Sequence, residues 1–419
     1  MRIHGPVFCI CALLALSTTA VKVDYTSHMV IRVSPKTEEQ IKFLSDWEST
    51  SSIDFWSRAA TTKTFTDIHV SPESYKHVAQ ILLDKKLNHK ILISNLGELE
   101  RQEQQEIALR RALYNDDKAI DVENYHTYEE VMAYLAELAS TNPLVTTMVA
   151  GSSIEGRDIV QATISSDLSA NKPIAWFDCN IHAREWITAA TCVWIIDTIT
   201  TGYGSDPEIT ALVDQYDWKF VPIANPDGYA FSWTNDRLWR KNRAVNPGSV
   251  CVGVDLNRNF PVGFGGTGSS NGPCSETFHG AAEFSEPESI TLKNLIAADA
   301  GRVKTAISMH SYSQLWLSSY SYSSALPAEY PEMLRAMRAG VDALTATYGT
   351  VYDYGSTGTV LYIASGTTTD HYYKNEGVVH SYTIELRDTG LYGFELPPRL
   401  IVPTAIETWN GIKAFINAI

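Results

Sequence analysis

The sequence predicts an α/β protein in two parts: a small α+β unit near the N-terminus, then a larger domain on a largely parallel sheet covered on both faces. Beyond Tyr125, short and strongly apolar runs alternate with helical stretches, and strands that apolar must be buried on both sides. From His28 to Ser94 the alternation is tighter, with strand-like runs of four to seven residues before, between and after two helix-like ones. The length of 419 residues and a hydrophobic content of 44% suit two or three globular domains and exclude a disordered chain.

Met1 to Ala20 carries Arg2 and His4, an apolar stretch from Pro6 to Leu16, and then Ser17-Thr18-Thr19-Ala20. That is the pattern of a secretory signal over residues 1–20, too short to cross a bilayer of about 30 Å, so the expected product is secreted and extracellular. Residues 21–95 then read as a compact leader. Its strands are His28 to Val33, Ile53 to Trp56, Thr64 to Val70 and His89 to Ser94; its helices are Thr37 to Trp47 and Ser71 to Leu83. Ser71 can cap the second helix and Pro72 suits its first turn. Residues 96–111 form a connecting segment, helical from Glu98 to Ala112, in which Arg110-Arg111 precede the polar stretch Asn115 to Lys118. Paired arginines in an exposed linker invite a trypsin-like protease, with cleavage at Arg111.

Residues 112–419 make the main domain. Strands are expected at Leu144 to Ala150, Ile159 to Ile164, Ile174 to Asn180, Trp218 to Ile223, Thr305 to His310 and Ser381 to Leu386. Helices are expected at Tyr128 to Ala139, Ile187 to Thr201, Pro287 to Ala300, Ala328 to Tyr348 and Pro398 to Ala418. Ligands of such sheets bind beyond the carboxyl ends of the strands, where His182, His310 and the loop Asn225 to Gly228 would fall.

The net charge of −15 is uneven: beyond Arg111, 35 acidic residues face 19 basic ones. An acidic body makes nucleic acid and anionic membrane improbable partners. Two of the six cysteines fall in the signal, and four in a secreted chain argue for two disulfides. Of three possible pairings, the local one, Cys179–Cys192 with Cys251–Cys274, is the simplest because each bond closes a short loop.

His182 and Glu185 stand three residues apart, so one turn can aim both at a divalent metal, and a hydrolytic zinc needs a third protein ligand and an open position. His310, ending the apolar run Thr305 to Met309, is the best third donor. Asp255 could hold the free ring nitrogen of a ligating histidine. Glu385 is an acid in the otherwise apolar run Ser381 to Leu386, suited to take a proton from water, and Arg240 is a cation available to a developing oxyanion. Gly268-Ser269-Ser270-Asn271-Gly272 matches a serine-hydrolase pattern formally, but neither a strand before it nor a helix after it is expected.

Taken together, His182-Ala183-Arg184-Glu185-Trp186, Asn225-Pro226-Asp227-Gly228, Trp239-Arg240-Lys241, Asp255-Leu256-Asn257-Arg258-Asn259, His310-Ser311-Tyr312-Ser313-Gln314 and Glu385-Leu386-Arg387-Asp388 resemble the zinc metallocarboxypeptidases of the A/B type with their leader domains. The likeness runs over nearly the whole chain after the signal and is nearer the A form. It implies an α/β/α sandwich with a mixed, twisted sheet, preceded by a small α+β antiparallel prodomain that inhibits a zymogen. It implies one Zn²⁺ per chain on His182, Glu185 and His310, Glu385 as general base and Arg240 polarising the scissile carbonyl. Asn257 and Arg258 would hold the terminal carboxylate, for which a guanidinium fork is suited. Tyr362 would cap the substrate, with Arg184 and Tyr312 touching the peptide further along.

The resemblance also makes Thr369 the residue that helps choose the terminal side chain, with Leu317, Leu361 and Ala364 lining the pocket. A neutral Thr369 implies hydrophobic ends; Asp370 in its place would imply Lys or Arg ends. The implied partners are peptide and protein C-termini and an activating trypsin-like protease, and the implied state is a monomer. A catalytically silent peptide-binding relative would lack Glu385, Arg240 or a zinc ligand, and none is missing.

Overall fold

The computed structural model describes residues 22–51, 53–59, 61–62, 64–114 and 120–419; the signal-like segment 1–20 and the stretch Asn115 to Lys118 lie outside the described residues. The leader contains β1 (Met29–Ser34), α1 (Glu38–Thr50), β2 (Asp54–Phe55), β3 (Thr66–Val70), α2 (Pro72–Asp84) and β4 (Asn88–Ile93). Its strands form an antiparallel sheet in the order β2-β3-β1-β4. Ile31, Val33, Leu44, Phe55, Ile68, Val78 and Leu82 close its core under the two helices. Ser71 caps α2 as expected: its hydroxyl accepts from the Ser74 amide at 3.2 Å, and the Ser74 hydroxyl accepts in return from the Ser71 amide. Helix α3 (Leu96–Leu113) follows, with Arg110 and Arg111 in its last turn.

The main domain runs α4 (Tyr128–Thr141), β5 (Val145–Ser152), β6 (Asp158–Ile164), β7 (Ile174–Cys179), α5 (Trp186–Gly202), α6 (Pro207–Gln215), β8 (Asp217–Val221) and α7 (Pro226–Thr234). It continues with α8 (Pro287–Ala298), β9 (Val303–Ser311), β10 (Leu315–Ser318), α9 (Tyr330–Tyr348), β11 (Asp353–Ser356), α10 (Thr357–Val360), α11 (Thr368–Lys374), β12 (His380–Leu386) and α12 (Ile401–Ile416). Its eight strands lie in the order β11-β10-β12-β9-β7-β8-β6-β5. The centre, β12-β9-β7-β8, is parallel. The β5/β6 and β6/β8 pairs and the β10/β12 pair are antiparallel, so the sheet is mixed, as the family resemblance implied, where the alternation of apolar runs with helices by itself predicted a largely parallel one. Successive residues of β7 enter opposite layers. Phe177 joins the core under α5 and α12, and Trp176 joins the core under α8. That alternation makes the domain an α/β/α sandwich.

The expected loop Asn225 to Gly228 is instead the start of α7, with Asn225 as its N-cap accepting from the Gly228 amide and Pro226 in the first turn. One disulfide, Cys251–Cys274, is present among the described residues. The expected Cys179–Cys192 bond is absent: both are buried free thiols. Cys179 ends β7 and Cys192 lies in α5 packed over it, so the two meet thiol to thiol as small apolar core residues. Short spacing correctly brought them together, but helix-on-sheet packing already accounts for their closeness.

Candidate active site

The parallel strands end at one rim. Beyond Cys179, Asn180 adopts a left-handed conformation (φ +55°), one that Asn tolerates, and its side-chain amide donates to the carbonyls of His182 and Glu185 at 3.3 Å. This turn holds His182 and Glu185 between β7 and α5. His310 arrives from β9, and in the β12/β9 pairing it stands directly beside Glu385. Among the described residues, His182, Glu185 and His310 form the cluster able to hold a metal, with ligand atoms within 4.8 Å of one another and all three buried.

The set fits zinc. His182 Nδ1 lies 2.8 Å from Glu185 Oε1 and 3.2 Å from His310 Nδ1, while His182 Nε2 lies 3.0 Å from Asp255 Oδ1. Asp255 therefore keeps the proton on Nε2 and leaves Nδ1 free as a ligand. Burial, together with Arg240, holds the His182 pKa below its ordinary value, which favours the neutral ring a ligand requires.

Around this cluster, Arg240 Nη2 donates to Asp255 Oδ2 at 2.9 Å, and Arg240 Nη1 comes within 3.8 Å of Glu185. Burial pushes the Glu385 carboxyl up to about 7; Glu185 adds to the rise, while His310, Arg240 and Arg258 oppose it. A carboxyl near 7 is matched to exchanging a proton at neutral pH. Arg258 is braced by the Gly268 carbonyl at 2.8 Å and the Asn257 carbonyl at 2.7 Å, with Nη2 3.4 Å from the Tyr362 hydroxyl. Asn257 is fixed through its Oδ1, which accepts from the Thr368 amide at 2.9 Å.

The cavity that contains these groups is lined further by Leu317, Ser321, Thr357, Leu361, Ala364, Thr367 and Thr383, with no acid among them besides Glu185 and Glu385. Thr369 is not in the lining itself; its hydroxyl is 2.7 Å from that of Thr383, which is. Asp370 is committed elsewhere, accepting from the Ser321 and Tyr322 amides at 2.9 Å. Thr383 was missed in the sequence, although it precedes Glu385 by two on one strand and so shares its face. Ser270 sits in a loop with neither a strand leading in nor a helix leading out.

The leader closes the cavity. Phe55, Trp56, Ser57 and Arg58 line its outer wall, and about 60 Å³ remains, far below the several hundred a peptide end requires. The Arg58 guanidinium lies 4.4 Å from the Tyr362 ring and is ion-paired with Glu48. Arg184 makes a two-pronged bond with Asp54 at 2.7 and 3.1 Å, and the Tyr312 hydroxyl donates to Asp67 at 2.9 Å. Both residues expected to touch substrate thus hold the leader in this closed form. Trp56, Tyr312 and Phe394 pack as an aromatic cluster across the same seam. In the connecting helix, Glu103 pairs with the buried Arg237, and Arg111 bonds Glu130 at 2.8 Å.

A zinc donor set at the rim of a mixed sheet, beside a titratable carboxyl and under a lid made by the chain's own N-terminal unit, defines a metallohydrolase synthesised in a closed form. The chain belongs to the zinc carboxypeptidase family: the family model of that description matches residues 131–411, and the carboxypeptidase activation peptide model matches residues 31–103. It is 40% identical over 399 residues to carboxypeptidase A1 of Sus scrofa, covering 94% of each chain, and 37% identical to carboxypeptidase A5 of Macaca fascicularis, covering 96% and 93%. Among solved structures it superposes on carboxypeptidase A from Helicoverpa armigera with a TM-score of 0.88 at 32% identity, covering 94% of this chain and 98% of that one. Thrombin activatable fibrinolysis inhibitor gives 0.83 at 31%, covering 93% and 98%. The chain is thus a zinc metallocarboxypeptidase made as a zymogen, most similar to the A type. No helix among the described residues is long and apolar enough to cross a membrane.

Proposed function

We propose that His182, Glu185 and His310 ligate the zinc, and that the activated enzyme removes hydrophobic residues from peptide C-termini. The convergence of those three donors with Glu385, Arg240 and Arg258 in one cavity carries this reading. Zinc bound there supplies a Lewis acid for the scissile carbonyl and for the attacking water. Arg258 and Asn257 receive the terminal carboxylate, which an internal residue lacks, and so restrict cleavage to the chain end. Tyr362, freed from Arg58, closes over the terminal residue and excludes water. Glu385 takes the proton of the attacking water and returns it to the leaving amine. Arg240, oriented by Asp255, places a cation where negative charge develops on the carbonyl oxygen.

Preference for aliphatic or aromatic ends follows from a lining of Leu317, Leu361, Ala364 and threonines, with Thr369 behind Thr383. A preference for Lys or Arg ends would need a free acid, and both Asp370 oxygens are already taken by backbone amides. Residues 1–20 act as the secretory signal, residues 21–95 as the inhibitory prodomain, 96–111 as the connecting segment and 112–419 as the enzyme. A trypsin-like protease cuts at or near Arg111 once the last turn of α3 opens.

The test is a panel of short peptides ending in Phe, Leu, Lys or Glu, assayed before and after trypsin, with and without a chelator. Phe and Leu ends are expected to be released after trypsin only, with activity lost to chelator, restored by zinc and unchanged in Ser270→Ala. A clear preference for Lys would overturn the pocket assignment, and chelator-resistant activity the metal assignment.

A further inference from the structure

Asp178 is an ionisable group that the reaction above leaves unused. It is fully buried on β7, where a carboxylate without partners would be strongly destabilising. Its partners are specific: Oδ1 accepts from the Ser308 hydroxyl at 2.6 Å, and Oδ2 accepts from Trp176 Nε1 at 3.2 Å and the Tyr372 hydroxyl at 3.1 Å. Asp178 and Ser308 stand opposite each other on the parallel neighbours β7 and β9. Ser308 precedes His310 by two residues on one strand, so both face the same way. The Ser308 hydroxyl is 3.2 Å from His310 Nε2.

The other neighbour of that nitrogen, Asn257 Nδ2 at 3.4 Å, is itself a donor, because Asn257 Oδ1 is taken by the amide and hydroxyl of Thr368. With Nδ1 turned to the metal, Nε2 carries the proton, and Ser308 is the neighbour able to accept it. We propose that Asp178 and Ser308 are positioning residues for the zinc site: Ser308 accepts a hydrogen bond from His310 Nε2 and donates one to Asp178, so that His310 presents Nδ1. The two histidines then differ in support. His182 is held by a carboxylate directly and His310 by one acting through a hydroxyl. The inference rests on His310 being a zinc ligand.

The experiment uses the full-length zymogen and compares wild type, Ser308→Ala, Tyr372→Phe and His310→Ala. Metal release to a chelator is timed, and the visible absorption spectrum of the cobalt(II)-loaded protein is recorded alongside the melting temperature. Tyr372→Phe removes a donor to Asp178 without touching His310, so it reports the purely structural share. Ser308→Ala is expected to lower metal affinity by about 10- to 100-fold and to shift the cobalt spectrum, while Tyr372→Phe does neither. Wild-type release and an unchanged spectrum in Ser308→Ala would overturn the inference, as would equal effects of Ser308→Ala and Tyr372→Phe. If His310→Ala retained metal as tightly as wild type, the ligand assignment would fail first, and the inference with it.

Discussion

Turnover by the activated enzyme is expected to fall by about two to four orders of magnitude when Glu385 is replaced by Gln, with zinc content and melting temperature unchanged. Gln has nearly the same shape and can stay in the same place beside His310 on the adjoining strand, but it cannot take a proton from water. The change also removes a buried acid whose ionisation is opposed by burial and by Glu185, so stability should not drop. The zinc donors, Asp255 and Arg240 keep their bonds to one another. The measurement is kcat and kcat/KM on a Phe-terminated peptide, with zinc quantified in the same preparation. Activity within tenfold of wild type would remove Glu385 from the chemistry and return the role of base to another group.

Much of this site was legible in the sequence because its residues sit where a local pattern meets a strand end. His310 and Glu385 each close an apolar run, and a polar residue at that point needs a reason beyond the core. The spacing of His182 and Glu185 suggested a metal pair, but only the company of His310, Glu385 and the other motifs separated it from an ordinary helix face. Elements with long, apolar signatures, such as α5, β9 and α12, lie within a few residues of their expected bounds. The short ones, β10, β11, α6, α10 and α11, gave no periodicity long enough to separate from loop, and their positions are set by tertiary pairing. The antiparallel edges of the sheet were invisible for a related reason: strand direction depends on the path of the connections.

The thiol pair Cys179 and Cys192 shows the limit of counting, since an even number of cysteines carries no information on which of them pack without bonding. The role of Thr383 was hidden because threonine on a strand is unremarkable until the neighbouring Glu385 is known to face the cavity. Least legible was the lid. Nothing in Phe55-Trp56-Ser57-Arg58 announces that it will sit on residues some 130 to 340 positions later, although Asp54 beside it supplies the charge that Arg184 needs.

That pairing sets the second large effect. Replacing Asp54 by Ala is expected to weaken the hold of the cut leader on the enzyme by roughly 30- to 150-fold, about 2 to 3 kcal/mol. Removing one partner of a fully buried pair costs about 3 to 5 kcal/mol, but Asp54 keeps 17% of its side chain open and Arg184 regains water on release, which lowers the figure. Although burial alone would raise it, Arg184 and His69 hold the Asp54 carboxyl far below the usual range. A carboxyl depressed in the docked state contributes its full stabilisation above its free value near 4 and loses it as pH falls below that. The gap between wild type and Asp54→Ala should therefore narrow as the pH falls below about 4. Dilution of trypsin-cut protein, with activity followed as the leader dissociates, measures both. An equal dissociation constant for the two proteins at pH 7 would mean that the aromatic seam of Trp56, Tyr312 and Phe394, and not the ion pair, keeps the cleft shut.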